Sequence, residues 1–270
     1  MQVIDLTSSQ QQAIDSFKSF LNGDEQVFML KGAAGTGKTT LVTEFIKILE
    51  AEHRVFSLMA PTGRAAYIIG SKTGKKASTI HRGIYGLSDL KSMGQDNDTN
   101  ADGNIHLKFD LRSNNDSPYN VYFVDEASMI SDSFSENEAF SFGSGCLLTD
   151  LFKYAGGRKI VFVGDYAQLP PVGMNFSPAL DAEYLEGKFG CKAVEFVLRE
   201  VIRQHDGSVM LQNATRIRDS IEKKTFIEFK LNNGTDTEAE DIDLLRPYFQ
   251  LSSSKPNVKS AIITYTRWLN

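Results

Sequence analysis

One octapeptide constrains this chain more than any other stretch: Gly32-Ala33-Ala34-Gly35-Thr36-Gly37-Lys38-Thr39. It satisfies G-x-x-x-x-G-K-[ST] at every fixed position. The apolar run Val27-Phe28-Met29-Leu30 precedes it, and a helix-forming run from Leu41 through Glu50 follows. Strand, glycine loop and helix in that order build a phosphate cradle. The glycines let backbone N–H groups turn inward around phosphate oxygens, and the helix N-terminus adds its partial positive charge. Lys38 then supplies a point charge for the β- and γ-phosphates, and Thr39 a hydroxyl for Mg²⁺. The expected ATP contacts are Gly32, Ala33, Ala34, Gly35, Thr36, Gly37, Lys38, Thr39 and Thr40. A merely Gly-rich turn before a helix has no need of the Lys-Thr pair.

The 270 residues, 41% hydrophobic and 23% charged, provide a full core for one large domain or two small ones. No segment approaches the ~18 consecutive apolar residues of a membrane helix. The first five residues lack the basic and apolar regions of a secretory leader. Two cysteines, Cys146 and Cys191, fit neither a disulfide framework nor a zinc site. The expectation is a cytoplasmic, monomeric protein with no membrane partner. A net charge of −5 does not advertise nucleic-acid binding. It is a sum, however, and a basic groove can coexist with acidic loops.

Local signals order the rest. Thr7 and Gln10 have capping-box spacing, and Ala13, Ile14, Phe17, Phe20 and Leu21 recur at helical intervals up to Gly23. A second strand over residues 54–60 ends at Pro61-Thr62-Gly63-Arg64. Three buried-type strands follow: Val121-Tyr122-Phe123-Val124, Ile160-Val161-Phe162-Val163 and Val194 to Leu198. Apolar runs separated by helices predict an α/β fold, a mostly parallel sheet covered on both faces, with ligands beyond the strand C-termini. Residues 88–119 shift to Asp, Asn, Ser and Gly around one alternating island, Ile105 to Leu111, and predict a small inserted hairpin.

Asp125-Glu126, at a strand end, has the form of a pair in which Asp125 holds the metal and Glu126 activates water. Glu next to Asp favours hydrolysis over transfer to a bound acceptor. Gln168, in Gly164-Asp165-Tyr166-Ala167-Gln168-Leu169-Pro170-Pro171, can hydrogen-bond both the attacking water and a γ-phosphate. The prolines stiffen that loop.

These blocks occur in order with Ala60-Pro61-Thr62-Gly63-Arg64-Ala65-Ala66, Ser78-Thr79-Ile80-His81 and Val124-Asp125-Glu126-Ala127-Ser128-Met129. Together the chain resembles superfamily 1B DNA helicases of the RecD/Dda type over nearly its whole length. The resemblance implies a RecA-like P-loop NTPase that moves 5′ to 3′ on single-stranded DNA, with ATP and Mg²⁺ as cofactors. It implies that Gln10 reads adenine, that Gln168 senses the γ-phosphate and that Arg203 is an arginine finger. It sets Pro61, Thr62 and His81 against DNA, and makes Phe109 the apolar tip of a strand-separating pin; Arg64, whose charge can neutralise phosphates, and Thr79 are expected beside them. Read without the resemblance, Thr62 is better taken as a helix cap and His81 as a core histidine, and Phe109 has an alternative place in the hairpin's own small core.

The resemblance also divides the chain into a first RecA-like domain at residues 1–198, carrying the insertion, and the beginning of a second at residues 199–270. The family's later motifs would lie beyond Asn270, so ATP binding with weak or no hydrolysis and no unwinding are expected of this stretch. RNA stays open as the strand. Two other classes remain: a P-loop kinase or transferase acting on a small molecule, and a nucleotide-gated DNA-binding module without unwinding.

Overall fold

The structure is a computed structural model that describes residues 6–87, 107–136, 139–200 and 209–222. The strands of these residues are β1 (Val27–Gly32), β2 (Phe56–Ala60), β3 (Ala77–Thr79), β4 (Tyr85–Leu87), β5 (Leu107–Leu111), β6 (Val121–Val124), β7 (Phe140–Phe142), β8 (Ile160–Gly164) and β9 (Ala193–Leu198). The helices are α1 (Ser8–Asn22), α2 (Lys38–Ala51), α3 (Gly63–Thr73), α4 (Ile80–Ile84), α5 (Leu147–Ala155), α6 (Ala182–Phe189) and α7 (Val209–Glu222). The chain divides into two compact units, Met1–Arg203 and Gln204–Asn270. In the second, only α7 is described, so the strand expected near its end lies outside the described residues.

Six strands form one sheet in the order β3-β2-β6-β8-β1-β9, and each pairing is parallel. The continuous apolar runs require this arrangement, because both faces must be covered. Alternate residues serve opposite faces. Phe28, Leu30, Phe123 and Val161 pack with Phe17, Leu41, Phe45 and Ile69 of α1, α2 and α3. Met29, Tyr122, Val124 and Phe162 pack with Ile84, Leu148, Leu151 and Leu185 of α4, α5 and α6. The α/β, RecA-like architecture expected from the sequence is the one found.

α1 begins as its sequence predicts. The Thr7 hydroxyl accepts from Gln10 N at 3.3 Å, and Thr7 N donates to Gln10 Oε1 at 3.1 Å, a complete capping box. Phe17 on this helix stacks on Phe45 with ring centroids 4.0 Å apart and meets Phe28 edge-on at 5.8 Å.

A second sheet, β4-β5-β7, carries the insertion. β4 and β5 pair antiparallel, Leu87 opposite Phe109, while β7 joins β5 in parallel. The hairpin expected within residues 88–119 therefore takes its first strand from before that range and a third from far beyond it. Residues 88–106, including any tip, lie outside the described residues. Phe109 is not a tip: it stacks on Phe142 at 4.9 Å and packs against the core. The small sheet is tied down by Asp150 of α5, whose Oδ2 accepts from the Tyr85 hydroxyl at 2.7 Å and Ser144 N at 2.9 Å.

A second brace centres on Asp132, whose side chain is fully buried. Its Oδ1 accepts from Thr149 N and hydroxyl, and its Oδ2 from the Tyr184 hydroxyl at 2.7 Å and Lys188 Nζ at 2.6 Å. Burial pushes the carboxyl up, but the bonds from Lys188, Thr149 and Tyr184 outweigh it and hold it below the ordinary carboxylate value.

Phe17→Ala is expected to cost about 3–5 kcal/mol by opening the aromatic cluster, read as a fall in denaturant midpoint at constant slope. Asp132→Ala should strand Lys188 and Tyr184 and cost about 2–4 kcal/mol. Because its pKa is depressed in the fold, the Asp132 contribution is in place above about pH 4 and fades as pH falls through the lower folded value. The wild-type and variant stabilities should converge in acid.

Candidate functional site: a phosphate loop and its facing carboxylates

Parallel strands deliver their C-terminal loops to one edge, and the register levels them there. Lys31 of β1 lies beside Gly164 of β8, and Val124 of β6 beside Met59 of β2 and Phe162 of β8. The phosphate loop, Asp125-Glu126, Gln168, Pro61-Thr62 and His81 all follow these C-terminal ends.

Gly37 is the N-cap of α2 with φ 88° and ψ 16°, a left-handed backbone that favours glycine. This turn leads the loop into α2 with its first amides free of any side-chain cap. Thr36 is buried, its hydroxyl donating to Ala33 O at 2.9 Å. Lys38 folds over the loop: its Nζ donates to Gly32 O at 2.7 Å and Ala33 O at 2.8 Å. The ammonium is thus held at the loop. Thr39 and Thr40 follow in the first turn of α2, both half-buried.

Asp125 is fixed by its backbone, N donating to Met59 O at 3.0 Å. Burial, then repulsion from Glu126, pushes its carboxyl up to about 6, against the pull of Lys38 and Lys72. Two adjacent carboxylates under this strain make a site that gains from a cation. One carboxylate with the Thr39 hydroxyl suits Mg²⁺, which takes few protein ligands and completes its shell from phosphates and water. Among the described residues no group of three or more His, Cys, Asp or Glu is placed to hold a metal ion.

Glu126 has φ 52° and ψ 40°, left-handed for a residue with a side chain. Such conformations are held against their cost by surrounding structure and gather at functional sites. Gln168 is exposed on the loop after β8, and its Oε1 accepts from the buried Ser128 hydroxyl at 2.8 Å. Ser128 stands in the Val124–Met129 block that carries the resemblance, but nothing in the sequence assigns it a role of its own.

Gln10 is 3% exposed, and its carbonyl oxygen accepts from Thr7 N in the capping box. Arg203 lies outside the described residues.

Of the residues set against DNA, Pro61 is half-buried and Arg64 exposed. Thr62 and Thr79 cap α3 and α4, accepting from Ala65 N and Arg82 N at 3.2 Å each. His81 packs edge-on to Phe142 at 4.9 Å, and burial lowers its pKa, leaving a neutral ring at pH 7. It lines a cleft of about 220 Å³ with Tyr85, Met129 and Phe142. Phe109 sits in the small core rather than on this edge.

A six-stranded parallel sheet, a glycine phosphate loop on β1 and paired carboxylates after β6 define a P-loop nucleoside triphosphatase of RecA-like fold. The profile of the AAA domain family matches residues 5–240. The chain belongs to that family, and the resemblance to superfamily 1 helicases of the RecD type stands with it. It is 31% identical over 148 residues to the ATP-dependent RecD2 DNA helicase of Deinococcus radiodurans, covering 54% of this chain and 16% of that protein. It is 27% identical over 177 residues to the ATP-dependent DNA helicase Pif1 of Bdellovibrio bacteriovorus, covering 63% of this chain and 34% of that one. The chain thus spans between about a sixth and a third of the length of these relatives. The crystal structure of Pif1 helicase from Candida albicans aligns with a TM-score of 0.48 at 20% identity, over 80% of this chain and 44% of that chain.

Lys38→Ala should lower ATP affinity at least about tenfold, since it removes a charge-assisted contact to phosphate. Calorimetric titration reads this directly, and an unchanged affinity would remove Lys38 from the site.

Proposed function

We propose that this chain is the ATP-hydrolysing portion of a DNA helicase that moves 5′ to 3′ along single-stranded DNA. The observation that carries the reading is the shared edge: residues suited to ATP and residues suited to a strand follow neighbouring parallel strands. In this reading the loop amides and Lys38 hold the β- and γ-phosphates. Thr39 and Asp125 would hold Mg²⁺, which would supply positive charge to the phosphate oxygens. Glu126 accepts the proton of the attacking water, and Gln168 orients that water while touching the γ-phosphate.

Gln10 donates its amide to adenine, and Arg203 reaches the γ-phosphate. Residues 1–198 act as the first RecA-like domain and residues 199–270 begin the second, the chain working as a monomer. Pro61, Thr62, Arg64, Thr79 and His81 form the strand's track, with hydroxyls and Arg64 on phosphates and the neutral His81 ring against a base. Phe109 supports that track from beneath, as a packing residue. The membership of the AAA domain family and the similarity to DNA helicases support this reading over a small-molecule kinase.

The test is ATP turnover with and without a single-stranded oligodeoxynucleotide. Turnover should rise severalfold with the strand, and an oligoribonucleotide arm reports which sugar is accepted. Turnover indifferent to any strand would favour the kinase class. ATP and strand binding without turnover would favour a nucleotide-gated binding module. Glu126→Gln is expected to keep ATP bound while reducing turnover about 10²-fold or more, the usual worth of a general base.

A further inference from the structure

We infer that Ser128 is a positioning residue for ATP hydrolysis, acting through Gln168; this rests on the reading of Gln168 as the γ-phosphate sensor. Ser128 is wholly buried, in the 3₁₀ turn Ala127–Met129 that follows Glu126. A hydroxyl buried without a partner is costly. This one donates to Gln168 Oε1 at 2.8 Å, across 40 residues of sequence. Gln168 itself is exposed, and a free glutamine on a loop would sample many rotamers.

The bond fixes more than position. With Oε1 turned to Ser128, the NH₂ becomes the outward donating end of the carboxamide. Phosphate oxygens only accept, so this is the end a γ-phosphate requires. A reversed carboxamide would meet phosphate with a carbonyl and repel it.

The same residue holds the far end of the loop. The Ser177 hydroxyl donates to Ser128 O at 3.2 Å. At the near end, Asp165 receives Ala167 N on its Oδ1 at 3.0 Å and Gln168 N on its backbone carbonyl at 3.1 Å. The strand end presses directly on the turn: a Cβ added to Gly164 would lie 3.3 Å from Ser128 N and 2.8 Å from Leu180 Cδ1. Ser128 therefore joins the water-activating carboxylate, two residues upstream, to the sensor loop as one rigid unit.

The experiment measures the affinities of this chain for ADP and for a non-hydrolysable ATP analogue; their ratio is the preference for the γ-phosphate. Ser128→Ala should lower that ratio about three- to tenfold, the worth of one hydrogen bond, with ADP affinity unchanged. The Ser128→Ala/Gln168→Ala pair should show no further loss beyond Gln168→Ala, because the two act in series. Additive losses, or a wild-type ratio in Ser128→Ala while Gln168→Ala lowers it, overturn the inference and leave Gln168 as sensor. A wild-type ratio in Gln168→Ala removes the sensor reading and the inference with it. Should Ser128→Ala fail to fold, Ser128→Cys keeps the size with a weaker donor: a lowered ratio supports the inference, and a wild-type ratio overturns it.

Discussion

The common direction of the six strands is the constraint on which everything else depends. Parallel strands need covering on both faces, and the long helical crossovers supply that cover. The same crossovers return every loop that follows a strand to one edge. Residues from β1, β2, β3, β6 and β8 meet there although more than 100 positions separate the outermost of them. One antiparallel strand would have turned its following loop to the opposite edge.

At that edge, charge is concentrated. Lys38 is held by two loop carbonyls, while burial and the neighbouring Glu126 raise Asp125. An anion on the loop and a cation beside Asp125 would each relieve part of this tension, and each favours the other's arrival. In the proposed reading a nucleotide and its metal would therefore bind as a pair.

Legibility in the sequence followed the range of the interactions. The phosphate loop, the capping box of Thr7 and Gln10 and the apolar strands could be read because their physics is local: fixed spacings force fixed shapes. The small sheet was only half legible. Alternation over residues 105–111 revealed a two-faced strand, but three-residue β4 and β7 are too short to carry a period. Phe109 was assigned to a tip by the resemblance, and alternation could not correct this, because it tells which face a residue takes, not how far it lies from the turn. Asp150 with Tyr85, and Ser128 with Gln168, pair across 65 and 40 residues. Nothing local in a serine or an aspartate announces such a partner. The roles of Thr62 and Gln10 were doubled from the start: Thr62 caps a helix at a strand end, where the proposed site also lies, and Gln10 closes the capping box of α1.

The left-handed backbone at Glu126 has an evolutionary consequence. In the proposed mechanism stability and chemistry pull this position apart: glycine would relax the main chain but would remove the carboxylate that accepts the proton from water. A library randomised at residue 126 and enriched for thermal resistance should drift toward glycine or asparagine. The same library enriched for turnover should return glutamate. Disagreement between the two selections would mark this residue as one where the fold carries a handicap on behalf of the reaction.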